Sequence, residues 1–529
     1  MKNENDGKKV YLVGGGIASL AAAVYLIQDA GLKGADITLF HDSEKFGGSL
    51  DAKYIEEQGG YVMRGIRMFE EKSFNATFDL MSRIPSLTSP EKNLREDFLD
   101  YNKENKTCSK SRLVSRGKAL EQKALRLNLR DKLSLVTIFL RREKSLEYLK
   151  IEDYFSPAFF QSNFWYEFCT VFAFEPWHSL MEFRRYFIRF VQDFPVIDTL
   201  EGVEVTPYNQ YDSLIWPALE WLKKAGVNFA GNTKVVDFKF EDKDGKTLLK
   251  EIHCEVAGNL AVIKTTENDL VFSTLGSMVA NSSIGSMQAA PVYQADKKSV
   301  AWSLWENIAN KSQDFGSPKN FSEQIDKSKW ISFTLTCKDR TLPDLLTKFI
   351  DRKVSNFGGV NLINSSWFMS LVINYRPYFV NQAKDTYICW GFGLFPDKIG
   401  NHIKKKMTEC SGEEIMKELI FHLGFEKDEE KIINSLVCIP CFTPYVTSQF
   451  LPRAITDRPA VVPKGALNFA FLGQFCEVPQ DVVFTVDYSV RSAQTAVYHF
   501  FPGNKKVTPI YHGLYHLRVV YKSLKTLFR

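Results

Sequence analysis

Residues 10–28 read VYLVGGGIASLAAAVYLIQ, and the order of apolar, glycine-rich and helix-forming pieces in them decides the fold. VYLV is a short apolar run of the kind buried strands use, GGGIAS is a turn, and LAAAVYLIQ is rich in strong helix formers. ADITLF at 35–40 supplies a second strand, so the start of the chain is a β-α-β unit with a glycine turn at its first crossover. Gly14, Gly16 and Ser19 fit G-x-G-x-x-S. The two glycines permit a tight turn and let the backbone at Ile17 and Ala18, where the helix begins, approach a pyrophosphate; Ser19 stands where a helix-packing glycine is usual. An acid is expected at the end of the second strand to hold ribose hydroxyls. Here His41 follows Phe40, and Asp42 comes next, so the adenosine contact passes to Asp42 or weakens.

A second glycine turn, Phe46-Gly47-Gly48-Ser49, follows within a few residues, which a nicotinamide dinucleotide alone would not explain and a flavin dinucleotide would. The late strand NFAFLGQF ends at Gly473 and leads into a helix of small residues, a second helix N-terminus for a flavin. DLVFSTLGSM is another strand, and Ser277 near its end joins the expected FAD contacts. Strands near 10, 37, 270 and 469 predict one sheet assembled from distant segments. The expected fold is therefore α/β: a Rossmann-like FAD-binding domain built from 1–60, 200–285 and 455–503. Mixed α+β substrate-binding and helical lobes occupy 61–199 and 286–454, and a C-terminal helical extension runs over 504–529. Residues 84–160 read as a polar helical lobe, and FRRYFIRF within the aromatic run 160–195 as a buried helix.

The 67 basic and 62 acidic residues leave a net charge of only +5, too evenly spread to argue for nucleic acid. MKNENDGKK runs into a strand without an apolar core behind its charges, and no apolar run is long enough to span a bilayer, so a cytoplasmic protein is expected. Nine scattered cysteines, an odd number, fit free thiols in a reducing compartment. No metal is expected: Cys438 and Cys441 stand alone as a pair, and His512 and His516 lack a third ligand. His178 reads as a core histidine. In LRVVYKSLKTLFR, Leu517, Val520, Tyr521, Leu524, Leu527 and Phe528 share one face, while Arg518, Lys522, Lys525 and Arg529 line the other. Such a helix suits an anionic membrane surface or docks on protein.

Across nearly the whole chain VGGGIASLAAAVYLI, FGGSLD, RGIRMFEE, SNFW, FAFEPWHS, YNQYDSL and FLGQFCEVPQDVVFTVDYSVRSAQTAVY resemble the oleate hydratases, fatty acid double-bond hydratases also called myosin-cross-reactive antigens. The resemblance implies an FAD-containing, homodimeric hydro-lyase that adds water across a cis-9 double bond of an unsaturated fatty acid without net redox. It implies that Tyr186 protonates the alkene and that Arg64, Gly65 and Arg67 belong to a loop that meets the flavin. In that loop Ile66 replaces a glycine and Met68 falls where the family carries the glutamate that activates water. Either Glu70 or Glu71 takes over as base, or water attacks with little help. SLVINYRPYF matches the family's carboxylate site, keeping Asn374 but placing Val372 and Tyr378 at the other two positions, with Arg376 a new candidate cation. Two other readings stay open: a redox flavoenzyme acting on a lipid, and a fatty-acid-binding homologue without turnover.

Overall fold

The computed structural model describes residues 7–107, 112–120, 125–294, 299–350 and 358–528, the side chains of 347–350 apart; Cys108 and Arg529 lie outside them. β1 (Val10–Val13), α1 (Ile17–Gln28) and β2 (Ile37–Phe40) form the unit read from the sequence. Their sheet has five parallel strands in the order Phe469–Leu472, Leu270–Thr274, β1, β2, Asn228–Ala230. A parallel sheet covered on both faces needs apolar strands and an apolar crossover helix, and every residue of α1 from Ile17 to Leu26 is buried. The helix Val486–Phe500 packs beside α1, its Tyr498 ring edge-on to Tyr25 at 5.9 Å.

An eight-stranded sheet forms a second layer; its third strand, Trp330–Cys337, is paired antiparallel with Tyr387–Gly393 on one side and Leu436–Thr443 on the other. All eight residues of Trp330–Cys337 are buried. A hairpin, Ala52–Ile55 with Gly60–Met63, joins the two layers: the Tyr61 and Met63 N–H groups donate to Thr336 Oγ1 at 2.9 Å and Thr334 Oγ1 at 3.3 Å. Residues 64–69 therefore leave the hairpin where the two sheets meet.

Two expectations need correction. The stretch 84–160 does hold helices at Leu94–Glu104 and Leu129–Thr137, but Leu113–Ser115 and Lys118–Ala119 are strands that extend the eight-stranded sheet. The helix expected at FRRYFIRF is present and buried, as Leu180–Arg189, and a second helix, Asn163–Phe172, precedes it, the two separated because Ala173 turns left-handed (φ 66°) and Pro176 follows. That break lets both helices turn aromatic side chains inward, as Phe172 does against Tyr186 and Phe190. The C-terminal helix Leu517–Phe528 does not present one continuous apolar face to solvent. Leu527 and Ser523 are buried, with Ser523 Oγ donating to the Val191 carbonyl at 2.6 Å, whereas Leu517, at 87% exposure, and Tyr521, at 67%, point outward.

Candidate functional site

A cleft of about 720 Å³ opens at the carboxyl ends of β1, β2, Leu270–Thr274 and Phe469–Leu472. In open α/β sheets this is where ligands bind. Gly14, Gly16, Ile17, Ala18, His41, Asp42, Gly48, Ser49, Arg64, Ser277 and Gly473 all line it. Gly14 (φ 108°) is fixed by geometry, since a Cβ there would lie 2.0 Å from Thr274 Oγ1. At Gly15, a Cβ would strike the His41 ring at 2.6 Å. At Gly16, by contrast, a Cβ would meet no protein atom within 4 Å, so its space opens onto the cleft at the start of α1, where N–H groups point at an anion. Gly47 donates its N–H to the Gly15 carbonyl at 2.9 Å and brings the second glycine turn against the first. Ser19 is fully buried inside the packed helix rather than on the cleft wall. His41 is held below its usual pKa by burial, opposed by Asp42, whose Oδ1 lies 3.2 Å from Nδ1.

Arg64 lines this cleft and also a small cavity of about 70 Å³ behind it, and the loop it begins forms part of the wall of a cavity of about 320 Å³. Ile66, Arg67, Met68, Phe172, Tyr186 and Phe484 line the larger cavity, whose size is within the range of about 300–1,000 Å³ typical of small-molecule pockets. The Arg67 guanidinium lies over the Phe484 ring at 4.8 Å, and Gly65 leaves it room, since a Cβ there would be 2.6 Å from its Nη1. Burial pulls Arg67 down to about 10, opposed by Tyr186 and Tyr378, so it is charged at neutral pH. Among the described residues it pairs with no carboxylate.

The Tyr186 hydroxyl donates to the Val483 carbonyl. Burial and Glu182 push its pKa well above the usual phenol value, while Arg67 and Arg458 pull the other way. Arg67 is therefore the arginine that faces Tyr186 from the cavity wall; the sequence neighbours are engaged elsewhere. Arg184 donates to the Ile138 and Phe139 carbonyls, and Arg185 is paired with Glu143 and Glu477 at 2.7 Å each.

Three of the residues singled out in the sequence lie together, while Tyr378 belongs to the main core. Ile66, Met68 and Val372 pack with Val205 and Tyr375 in a single apolar cluster. Glu70 lines the large cavity and accepts from Gln192 Nε2 at 3.0 Å, whereas Glu71 turns away to Arg95 at 2.7 Å. Asn374 and Tyr378 are buried, but Asn374 donates through Nδ2 to the Ile388 carbonyl at 3.3 Å, which leaves its bare oxygen buried and poorly suited to a carboxylate. Arg376 is engaged by Asp385 at 3.2 Å and by the Tyr387 hydroxyl at 3.0 Å. Gln192 and Asp193, on the Val191–Val196 turn, also line the cavity; no spacing in the sequence signals them.

His178 is buried against Glu175, and burial holds it down at about 3. The eight described cysteines are buried free thiols, and no group of three metal-ligating side chains occurs among the described residues. No helix there is long and apolar enough to cross a membrane.

A glycine-cradled cleft at the carboxyl ends of a parallel sheet, joined by one loop to an aromatic cavity, defines an α/β protein with the fold of known oxidoreductases. Cyclohexylamine oxidase from Brevibacterium oxydans IH-35A superposes with a TM-score of 0.52 at 10% identity, over 93% of this chain and 98% of its own. An oxidoreductase from Methanosarcina mazei superposes with a TM-score of 0.51 at 11% identity, over 92% and 99%. Both show the fold. The chain belongs to the MCRA family, whose pattern residues 7–498 match. It is similar to an oleate hydratase of Streptococcus pyogenes serotype M49 (strain NZ131), 36% identical over 98% of this chain and 89% of the relative. It is also similar to a linoleate hydratase of Lactiplantibacillus plantarum, 32% identical over 93% of each.

Proposed function

We propose that this protein is an FAD-dependent fatty acid hydratase that adds water across a cis double bond, cis-9 in an oleate-type acid, to give a hydroxy fatty acid without net redox. The observation that carries this reading is the placement of Tyr186: a fully buried phenol on the wall of an aromatic cavity, with the unpaired Arg67 guanidinium facing it. The alkene lies among Phe172, Phe190 and Phe484. Tyr186 gives its proton to one alkene carbon, and Arg67 stabilises the phenolate that remains, an effect of the order expected of a positioned acid, about 10²–10⁴ in rate. Water adds to the neighbouring carbon.

The cleft residues fit FAD. Gly14, Gly16, Ile17 and Ala18 would hold the diphosphate, Asp42 and His41 the adenosine side, and Gly47, Gly48, Ser49, Ser277 and Gly473 the flavin side, with Arg64, Gly65 and Arg67 bridging to the cavity. Bound there, the flavin would supply a rigid, apolar wall and order the 64–68 loop. Val372 lines the small cavity beside Arg64 and Arg67, so the carboxylate is drawn to that arginine-rich end rather than to Asn374 and Tyr378.

The exposed stripe Leu517, Tyr521, Leu524 and Phe528, beside Arg518, Lys522 and Lys525, suits an anionic bilayer surface from which substrate enters. Leu129 and Leu133, also exposed, extend that stripe, because Lys132 of their helix sits over the Phe528 ring at 5.6 Å. The protein then works as a cytoplasmic homodimer, peripheral at the inner membrane face. The test is incubation of the FAD-loaded protein with a panel of cis-unsaturated acids. Products heavier by one water, with the flavin spectrum unchanged over many turnovers, support the reading. Desaturated or oxygenated products would replace it with a redox enzyme.

A further inference from the structure

Glu70, Gln192 and Asp193 line the same cavity as Tyr186, although they come from the 64–71 loop and from the Val191–Val196 turn, far apart in sequence. The Gln192 amide lies between the two carboxyl groups, 3.0 Å from Glu70 Oε2 and 3.4 Å from Asp193 Oδ2. The Gln192 carbonyl oxygen is buried without a partner, against Gly513, where a Cβ would lie 2.8 Å from it. Met68 offers no base on this cavity wall, and Glu70 offers a carboxylate. Resting on the hydratase reading above, we propose that Glu70 is the base that activates water, with Gln192 and Asp193 positioning it.

The step balances. The alkene π pair takes the Tyr186 proton to form one C–H bond, the water oxygen forms the C–O bond at the adjacent carbon, and the proton that water loses passes to the Glu70 carboxylate. Solvent returns a proton to the phenolate and removes one from Glu70, so one water is added and no electrons are exchanged. Two carboxyl groups this close in a buried site do not both ionise. Burial and the Glu70 charge push Asp193 well above the usual carboxylate range, with Arg189 alone opposing, so Asp193 is the neutral partner. The other groups facing the pair are Arg189 from the helix Leu180–Arg189, Glu204 behind the loop, and Tyr511 from the C-terminal segment. None of them supplies a second cation at the dyad besides Arg189, which is also held by Asp487 at 3.4 Å.

Glu70→Gln and Asp193→Asn test the assignment in the full-length, FAD-loaded enzyme, with retained flavin absorbance showing that each variant folds. Glu70→Gln is expected to lower kcat about 10²–10⁴-fold with KM changed by less than about threefold, the pattern of a group that acts in the transition state. Asp193→Asn is expected to lower kcat about tenfold, to remove one inflection from the kcat–pH profile, and to remove its own component from the infrared carbonyl band of buried carboxylic acids at neutral pH, to which the buried Glu175 also contributes. Wild-type kcat in Glu70→Gln, or an unchanged infrared band in Asp193→Asn, would overturn the proposal. A wild-type enzyme that forms no hydroxy acid would instead sink the hydratase reading, and the infrared band would still decide whether Asp193 is the neutral member of the pair.

Discussion

The glycine-lined cleft and the aromatic cavity are adjacent, share Arg64's loop, and are specified in opposite ways. The cleft is built from backbone: glycines at 14, 16, 47, 48 and 473 set turns and leave space, and their positions follow one continuous pattern near the start plus one late strand. The cavity is built from side chains on the 64–70 loop, two short helices, the 191–196 turn and Phe484. A backbone site tolerates drift in everything but its glycines. A side-chain site can exchange a residue if its neighbours change with it, and Ile66, Met68 and Val372, which pack in one apolar cluster, are positions that would have to change together.

The largest expected effect separates the two regions. Tyr186→Phe removes only a hydroxyl and should reduce hydration by about 10²–10⁴-fold or more while FAD affinity and melting temperature stay near wild type; turnover measured beside flavin titration checks it, and full activity would end the role of Tyr186 as acid. Gly16→Val addresses the other region. Because its side chain would meet open cleft and no protein atom, the fold should hold while FAD affinity falls by about a hundredfold or more, equivalent to at least ~2.7 kcal/mol, as read by flavin fluorescence.

A smaller effect sharpens the idea of a coordinated exchange. Met68→Glu places a carboxylate on the loop but buries it beside Ile66, Val372 and Tyr375, so it should cost about 1–3 kcal/mol of stability and leave kcat no higher. Adding Ile66→Gly and Val372→Thr should recover part of that loss. A tenfold rise in kcat from Met68→Glu alone would show that the apolar cluster does not limit the site. Acid stability gives the smallest effect. Glu477, clamped by Arg453 at 2.8 Å and Arg185 at 2.7 Å, is held at about 2, and His178 at about 3. Both folded values lie below the unfolded ones, so their contribution is complete above about pH 6.5 and is lost as pH falls, first through His178 and below about 4.5 through Glu477. Melting temperature measured from pH 7 to 3 should fall, and Glu477→Gln should flatten the lower part of that fall while lowering stability at pH 7.

Much of this was legible in the sequence for a physical reason. Strand, turn and helix at 10–28 carry local signals, and the late strand at 469–472 carries the same apolar signature, so the five-stranded sheet could be assembled from distant pieces. The edge strand Asn228–Ala230, at only three residues, is too short to announce its place. Tyr186 and Met68 stand out in the sequence only because long motifs surround them; nothing in EFRRYFIRF says which way the phenol points, and Arg67 rather than Arg184 or Arg185 faces it. Gln192 and Asp193 carry no motif, since their meaning comes from Glu70 lying across the cavity in space. The split face of the C-terminal helix was hidden for a similar reason, because periodicity shows that a face exists and only the Val191 carbonyl shows which part of it is covered.

The most direct test of water addition at an alkene without redox is a double-label experiment with the FAD-loaded enzyme and a cis-unsaturated acid, run in H₂¹⁸O and separately in D₂O, with mass-spectrometric mapping of the product. One ¹⁸O on one former alkene carbon, one deuterium on its neighbour, and no consumption of reductant or oxygen is the predicted result. Oxygen derived from O₂, or a product with two fewer hydrogens and a reduced flavin, would contradict it.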